Sequence, residues 1–87
     1  MSVPRNAATF GSLLRAHRLA AGLTQEALAE RSGVSARSIQ KFEADSVLPR
    51  RFSAASLAAA LGLAGPDRQV LEGAATPSPR RRVGRLP

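Results

Sequence analysis

The side chains here that could do chemistry are mostly cations: thirteen Lys and Arg against six Asp and Glu, a net charge of +7, with one histidine and no cysteine. Arginine and lysine suit phosphate oxygens and the acceptor edge of guanine, so Arg37, Lys41, Arg50 and Arg51 point to a polyanion such as nucleic acid or anionic lipid. Without cysteine there are no disulfides and no thiolate zinc site, and His17 alone does not make a metal centre. Nor do the many serines read as nucleophiles. No Ser/His/Asp arrangement, phosphate-cradling glycine loop or paired carboxylate accompanies them, and most stand where a helix start needs a cap. His17 reads as a partly exposed residue of the first helix. Neither an enzyme nor a cofactor is expected.

The elements that must position these cations are helical. A hydrophobic fraction of 44% with only three Phe and no Trp or Tyr is supplied mainly by Ala, Leu and Val, an alphabet that favours helices over a β-sandwich. Eighty-seven residues allow one small core. Residues 1–8, polar with Pro4, read as a disordered arm. From Thr9, an N-cap, the run Phe10, Leu13, Leu14, His17 and Ala21 has the rhythm of an amphipathic helix that Gly22 ends. Thr24 caps a second helix from Gln25 to Arg31, burying Leu28 and Ala29 and stopping at Gly33. Ser35 caps a third, with Ile39, Phe42 and Glu43 on one face before Asp45 and Ser46 break the pattern. Residues 46–52 read as a loop. Ser53 is expected to cap a fourth helix through Leu61, and Pro66 to stand in the first turn of a fifth reaching about Glu72, with Gly73 beyond it.

The second and third helices are separated by three residues and carry a demanding pattern. Counted from Gln25, the segment QEALAERSGVSARSIQKFEA has Leu at position four, Ala at five, Gly at nine, Val at ten, Ile at fifteen and Phe at eighteen. Ala29 must be small where the helices cross, Gly33 supplies the positive φ of a tight reversal, and Leu28, Val34, Ile39 and Phe42 fill the wedge between the helices. These are the demands of a helix-turn-helix. The face opposite Ile39 and Phe42 is exposed and bears Arg37, which can bind guanine bidentately, and Lys41, which can reach guanine or phosphate. Ala36 offers only apolar contact to a thymine methyl. Gln25 opens its helix, where free N–H groups and the helix dipole attract an anion. Arg18 and Glu43 each fall four residues after a buried position, at the edge of an apolar stripe.

The segment GLTQEALAERSGVSARSIQKFEAD, with FGSLLRAHRLAA before it and Pro49 and SLAAALGL after, resembles the Xre/Cro-type helix-turn-helix family of phage and bacterial repressors over roughly residues 9 to 73. The resemblance implies an all-α, five-helix, lambda-repressor-like fold whose third helix enters the major groove of double-stranded DNA. It implies base contacts from Ser35, Ala36, Arg37 and Lys41, and phosphate contacts from Gln25, Ser38, Gln40, Arg50 and Arg51. Residues matching Arg18 and Glu43 form a partly buried salt bridge between the first and third helices in related repressors. Position 36 often carries a long polar side chain in that family, so Ala36 narrows direct readout here.

The chain is expected to comprise an arm at 1–8, a DNA-binding domain at 9–75 and a flexible basic tail at 76–87. All six acids and nine of the cations precede Thr76, a net +3, and the tail adds Arg80, Arg81, Arg82 and Arg85. Those arginines could grip a minor groove, touch an anionic surface or keep a linker soluble. A tail ending VGRLP after such a domain looks like the linker that precedes a signalling domain in large actinobacterial regulators. The expected function is cytoplasmic transcriptional regulation, as a homodimer on DNA half-sites. An antitoxin that represses its own operon while holding a toxin is an alternative, and so is a protein-interaction module that no longer reads DNA. The longest apolar stretch, residues 54–65, is far short of the roughly 20 residues of a membrane span.

Overall fold

Three helices start where a hydroxyl side chain can hold the free N–H groups of a first turn. The Thr9 hydroxyl oxygen accepts from the Ser12 N–H at 3.1 Å and the Ser12 hydroxyl oxygen from the Thr9 N–H at 3.0 Å, a reciprocal cap for α1 (Phe10–Ala20). Thr24 caps α2 (Gln25–Ser32) through the Ala27 N–H, and Ser35 caps α3 (Ala36–Glu43) through the Ser38 N–H. Two more helices follow, α4 (Arg51–Ala60) and α5 (Gly65–Ala74). The structure, a computed structural model, describes residues 9–75, and among them there is no strand. The expected arm at 1–8 and the tail at 76–87, with Arg80, Arg81, Arg82 and Arg85, lie outside the described residues.

The core is built from both ends of that range. Phe10 and Leu14 of α1, Leu28 of α2, Ile39 and Phe42 of α3, Ala54, Leu57 and Ala58 of α4, and Leu71 of α5 are buried together, closed by Ala75. Phe10 and Phe42 meet edge to face, with centroids 6.1 Å apart and planes at 86°, the arrangement ring quadrupoles favour. Val34 and Ala29 pack partly buried against this cluster. α3 lies between α1 and α2, while α4 packs on α2 and α5 and α5 reaches back to α1. Gly33, with φ +80°, ends α2 in the left-handed region that a residue with a Cβ adopts at a cost.

α1 and α3 touch closely at one point. A Cβ on Gly11 would lie 2.3 Å from the Phe42 carbonyl oxygen and 2.9 Å from that of Glu43, so only glycine lets the start of α1 rest on the end of α3. Asp45 fastens the contact. Its Oδ1 accepts from the Gly11 N–H at 3.1 Å and its Oδ2 from the Thr9 hydroxyl at 2.9 Å. Asp45 itself sits at φ +60° and terminates α3, its N–H bonding the Phe42 carbonyl and the Ser46 N–H the Lys41 carbonyl, the double closure that usually recruits glycine or asparagine.

Three expectations need correction. α4 begins at Arg51, not after Ser53: Arg50 holds the cap position with no side-chain bond, and Ser53 is inside the first turn. Burial of Pro49, Ala54, Leu57 and Ala58 sets this start, since packing outweighs a single cap. α5 runs on to Ala74 and passes through Gly73, because Ala75 and Ala74 still have core to cover. The buried stripe of α1 is Phe10, Gly11, Leu14 and Arg18, with Leu13 and His17 half-buried and Ala21 exposed, so Arg18, expected at the edge of the stripe, lies within it.

Candidate nucleic-acid interface

Arg18 can occupy a core stripe because its charge is matched inside. Its Nε donates to Glu43 Oε2 at 2.7 Å, Nη2 to Glu43 Oε1 at 2.9 Å and Nη1 to the Leu23 carbonyl at 2.9 Å. The two side chains are 10% and 5% exposed. The hydrogen bond donated to Glu43, supported by the charges of Glu43 and Glu26 and opposed by burial, holds the pKa of the guanidinium above its ordinary value, so it stays charged. A bidentate fork of this kind fixes orientation as well as distance. It ties α1 to the last residue of α3.

Gln25 joins the same carboxylate. As the first residue of α2, half-buried, it donates from Nε2 to Glu43 Oε1 at 3.0 Å. Above the three lies an open, concave pocket of about 550 Å³ lined by Arg15, Arg18, Thr24, Gln25, Gln40, Glu43 and Ala44. α1 supplies one wall, the start of α2 the second and the outer side of α3 the third. Arg15 is exposed and has no hydrogen bond or ion pair among the described residues. Sequence reasoning missed it. An exposed cation one turn before Arg18 reads as solvated surface, and only the fold sets it across from Gln25.

On α3, Ile39 and Phe42 point into the core, which turns Arg37, Gln40, Lys41 and Ala44 outward as one exposed strip. The side chains of Arg37 and Lys41 have no hydrogen-bond or ion-pair partner among the described residues. Ala36 and Ser38 are half-buried. The Ser35 hydroxyl accepts from the Ser38 N–H at 3.1 Å and donates to the Ser38 hydroxyl at 3.0 Å, so both serines are engaged in the cap. Arg50 and Arg51 are exposed at the start of α4, on a helix end and not in the loop expected for them. Between them and α3 stand Val47 and Leu48, 47% and 52% exposed, and Phe52 follows at 81%. The structure thus brings Arg18, Gln25 and Glu43 into one cluster, sets Gln40 on its pocket wall, and leaves Arg37 and Lys41 on the adjoining strip.

Among the described residues no group of three or more His, Cys, Asp or Glu could hold a metal ion, and no helix is long and apolar enough to cross a membrane. A family model described as a helix-turn-helix domain matches residues 9–71, most of the chain and all the side chains just placed. No curated protein and no solved structure gives a match.

Proposed function

Because the chain belongs to the helix-turn-helix domain family, we propose that it is a DNA-binding transcriptional regulator of the Xre/Cro type, acting in the cytoplasm. In this reading α3 enters the major groove. Arg37 and Lys41 meet base edges with Ser35 and Ala36 beside them, and Gln25, Arg50 and Arg51 hold backbone phosphates with Ser38 and Gln40 near the strand. Arg15 joins them from the pocket wall. The observation that carries the reading is the contrast between the two faces of α3. Its inner face is fixed by Ile39, Phe42 and the Arg18–Glu43 fork, while the cations of its outer face have no partner within the described residues. Residues 9–75 are the DNA-binding unit, and a homodimer sets two copies of α3 about one helical turn apart on DNA half-sites.

Fluorescence anisotropy with a labelled random-sequence duplex and a selected duplex, across a salt series, tests the proposal. Arg50→Gln is expected to weaken both duplexes alike and to shallow the log–log salt slope by about one unit. Arg37→Ala is expected to cost about 1–3 kcal/mol on the selected duplex only and to relax preference at one base pair. No binding at low salt, or an Arg37→Ala protein indistinguishable from wild type, overturns it. An antitoxin that represses its own operon would bind DNA as above; a protein-interaction module that no longer reads DNA is the second reading, favoured by the short Ala36 and by exposed Val47, Leu48 and Phe52. It predicts the negative outcome of the same titration.

A further inference from the structure

Of the thirteen Lys and Arg residues only Lys41 is a lysine; all the others are arginine. The difference is chemical. A guanidinium stays protonated and does not attack acyl donors, whereas a lysine amine, once neutral, is a nucleophile. Lys41 lies in the last turn of α3, exposed on its outer side, and its side chain has no hydrogen-bond or ion-pair partner among the described residues. The fold does not lean on that side chain. The Lys41 backbone carbonyl closes the helix by accepting from the Ser46 N–H at 2.9 Å, and the inner face of α3 is held by Ile39, Phe42 and the Arg18–Glu43 fork. The amine can therefore lose its charge while the domain stays folded. One turn earlier stands Arg37, equally exposed and unpaired among the described residues, and residues four apart on a helix have Cβ atoms about 5–6 Å apart. A guanidinium at that range is suited to hold a phosphoryl group.

From this lone amine and its cationic neighbour we propose that Lys41 is an acetylation site: an acyl phosphate held by Arg37 acetylates the amine, and the loss of charge releases α3 from DNA. The effect on DNA rests on the DNA-binding reading above and deepens it by naming how the same face is regulated. The step balances without a cofactor. The Lys41 ammonium gives one proton to water, and the freed lone pair attacks the acetyl carbonyl carbon. A C–N bond forms as the C–O bond to the phosphoryl group breaks, and inorganic phosphate leaves with the bonding pair and the second proton of the amine. The product is a neutral amide. It neutralises no phosphate, and it offers a guanine edge one N–H donor where the ammonium offered three.

The experiment incubates the full chain with acetyl phosphate, follows the adduct at Lys41 by peptide mass spectrometry, and measures anisotropy on the selected duplex. Expected is modification of Lys41 in the free protein, suppressed by saturating duplex because acetylation and DNA binding oppose each other reciprocally. The acetylated protein is expected to bind the duplex about tenfold more weakly, the size of one lost base contact, with Lys41→Gln matching it and the melting temperature close to wild type. Lys41→Arg keeps a cation but offers no amine, and is expected to bind equally before and after treatment. Arg37→Gln is expected to slow the adduct about threefold, the Coulomb attraction of one charge at about 6 Å in water. The proposal is overturned by the absence of a Lys41 adduct under conditions that acetylate a free lysine peptide, by acetylated protein that binds as before, or by treated Lys41→Arg weakening as wild type does. An undiminished adduct rate in Arg37→Gln, or faster transfer from an acetyl thioester at equal concentration, overturns the acyl phosphate as donor. Failure of untreated wild type to bind either duplex at low salt overturns the DNA-binding reading instead, and the mass-spectrometric result then decides the acetylation by itself.

Discussion

Glu43 and Glu72 are both glutamates in salt bridges with arginine, and their surroundings make them unequal. The Arg68–Glu72 pair is a one-turn contact on α5 with side chains 41% and 35% exposed, a geometry worth about 0.3–0.5 kcal/mol. Glu43 is enclosed and accepts three hydrogen bonds. Glu43→Gln leaves the Arg18 fork facing a neutral amide, and breaking a buried pair costs about 3–5 kcal/mol. With about 4–8 °C per kcal/mol in a domain of this size, the melting temperature is expected to fall by more than about ten degrees in a circular-dichroism scan, against about one to four degrees for Glu72→Gln. An unchanged melting temperature for Glu43→Gln would contradict the structural role given to the pair.

At the scale of elements, two glycines in helices predict opposite outcomes. Alanine is the better helix former by about 0.5–1 kcal/mol. At Gly73, where an added Cβ meets nothing within 4 Å, that preference is expected to appear as a gain in stability. At Gly11 the same methyl meets two backbone carbonyls and Asp45 at 2.3 to 2.9 Å. Overpacking of about 1–3 kcal/mol then exceeds the propensity gain, and Gly11→Ala is expected to melt lower than wild type in urea or heat. A Gly11→Ala protein as stable as Gly73→Ala would show that the α1–α3 contact yields easily. The helices themselves were legible wherever a local signal marks them: the hydroxyls of Thr9, Thr24 and Ser35, the glycine after α2, and the periodic Leu28, Ile39 and Phe42. The start of α4 was not, because Arg50 caps without a side-chain bond and burial, which sequence shows only faintly in an Ala-rich run, decides it. Around the candidate site the strip of α3 could be read from period alone. The Gln25–Glu43 bond joins residues 18 apart and the pocket role of Arg15 crosses two helices, relations that exist only once the chain has folded.

For the molecule as a whole, the clamp of Gly11 and Thr9 on Asp45 has a kinetic meaning. α2 and α3 meet through a short reversal, whereas the clamp joins residues 34 and 36 apart and the Arg18–Glu43 fork residues 25 apart. Closing loops of that length costs entropy, about 0.6 kcal/mol for each doubling, so the contacts of α1 are expected to form after those of the α2–α3 hairpin. Contacts made late are lost early. A stopped-flow series in denaturant is expected to show Gly11→Ala accelerating unfolding with little effect on the folding arm, while Leu28→Ala, inside the hairpin, slows folding. The reverse assignment would place α1 in the nucleus. On the expected order, α1 is the latch of the domain, and α3 keeps its aim only while that latch is closed.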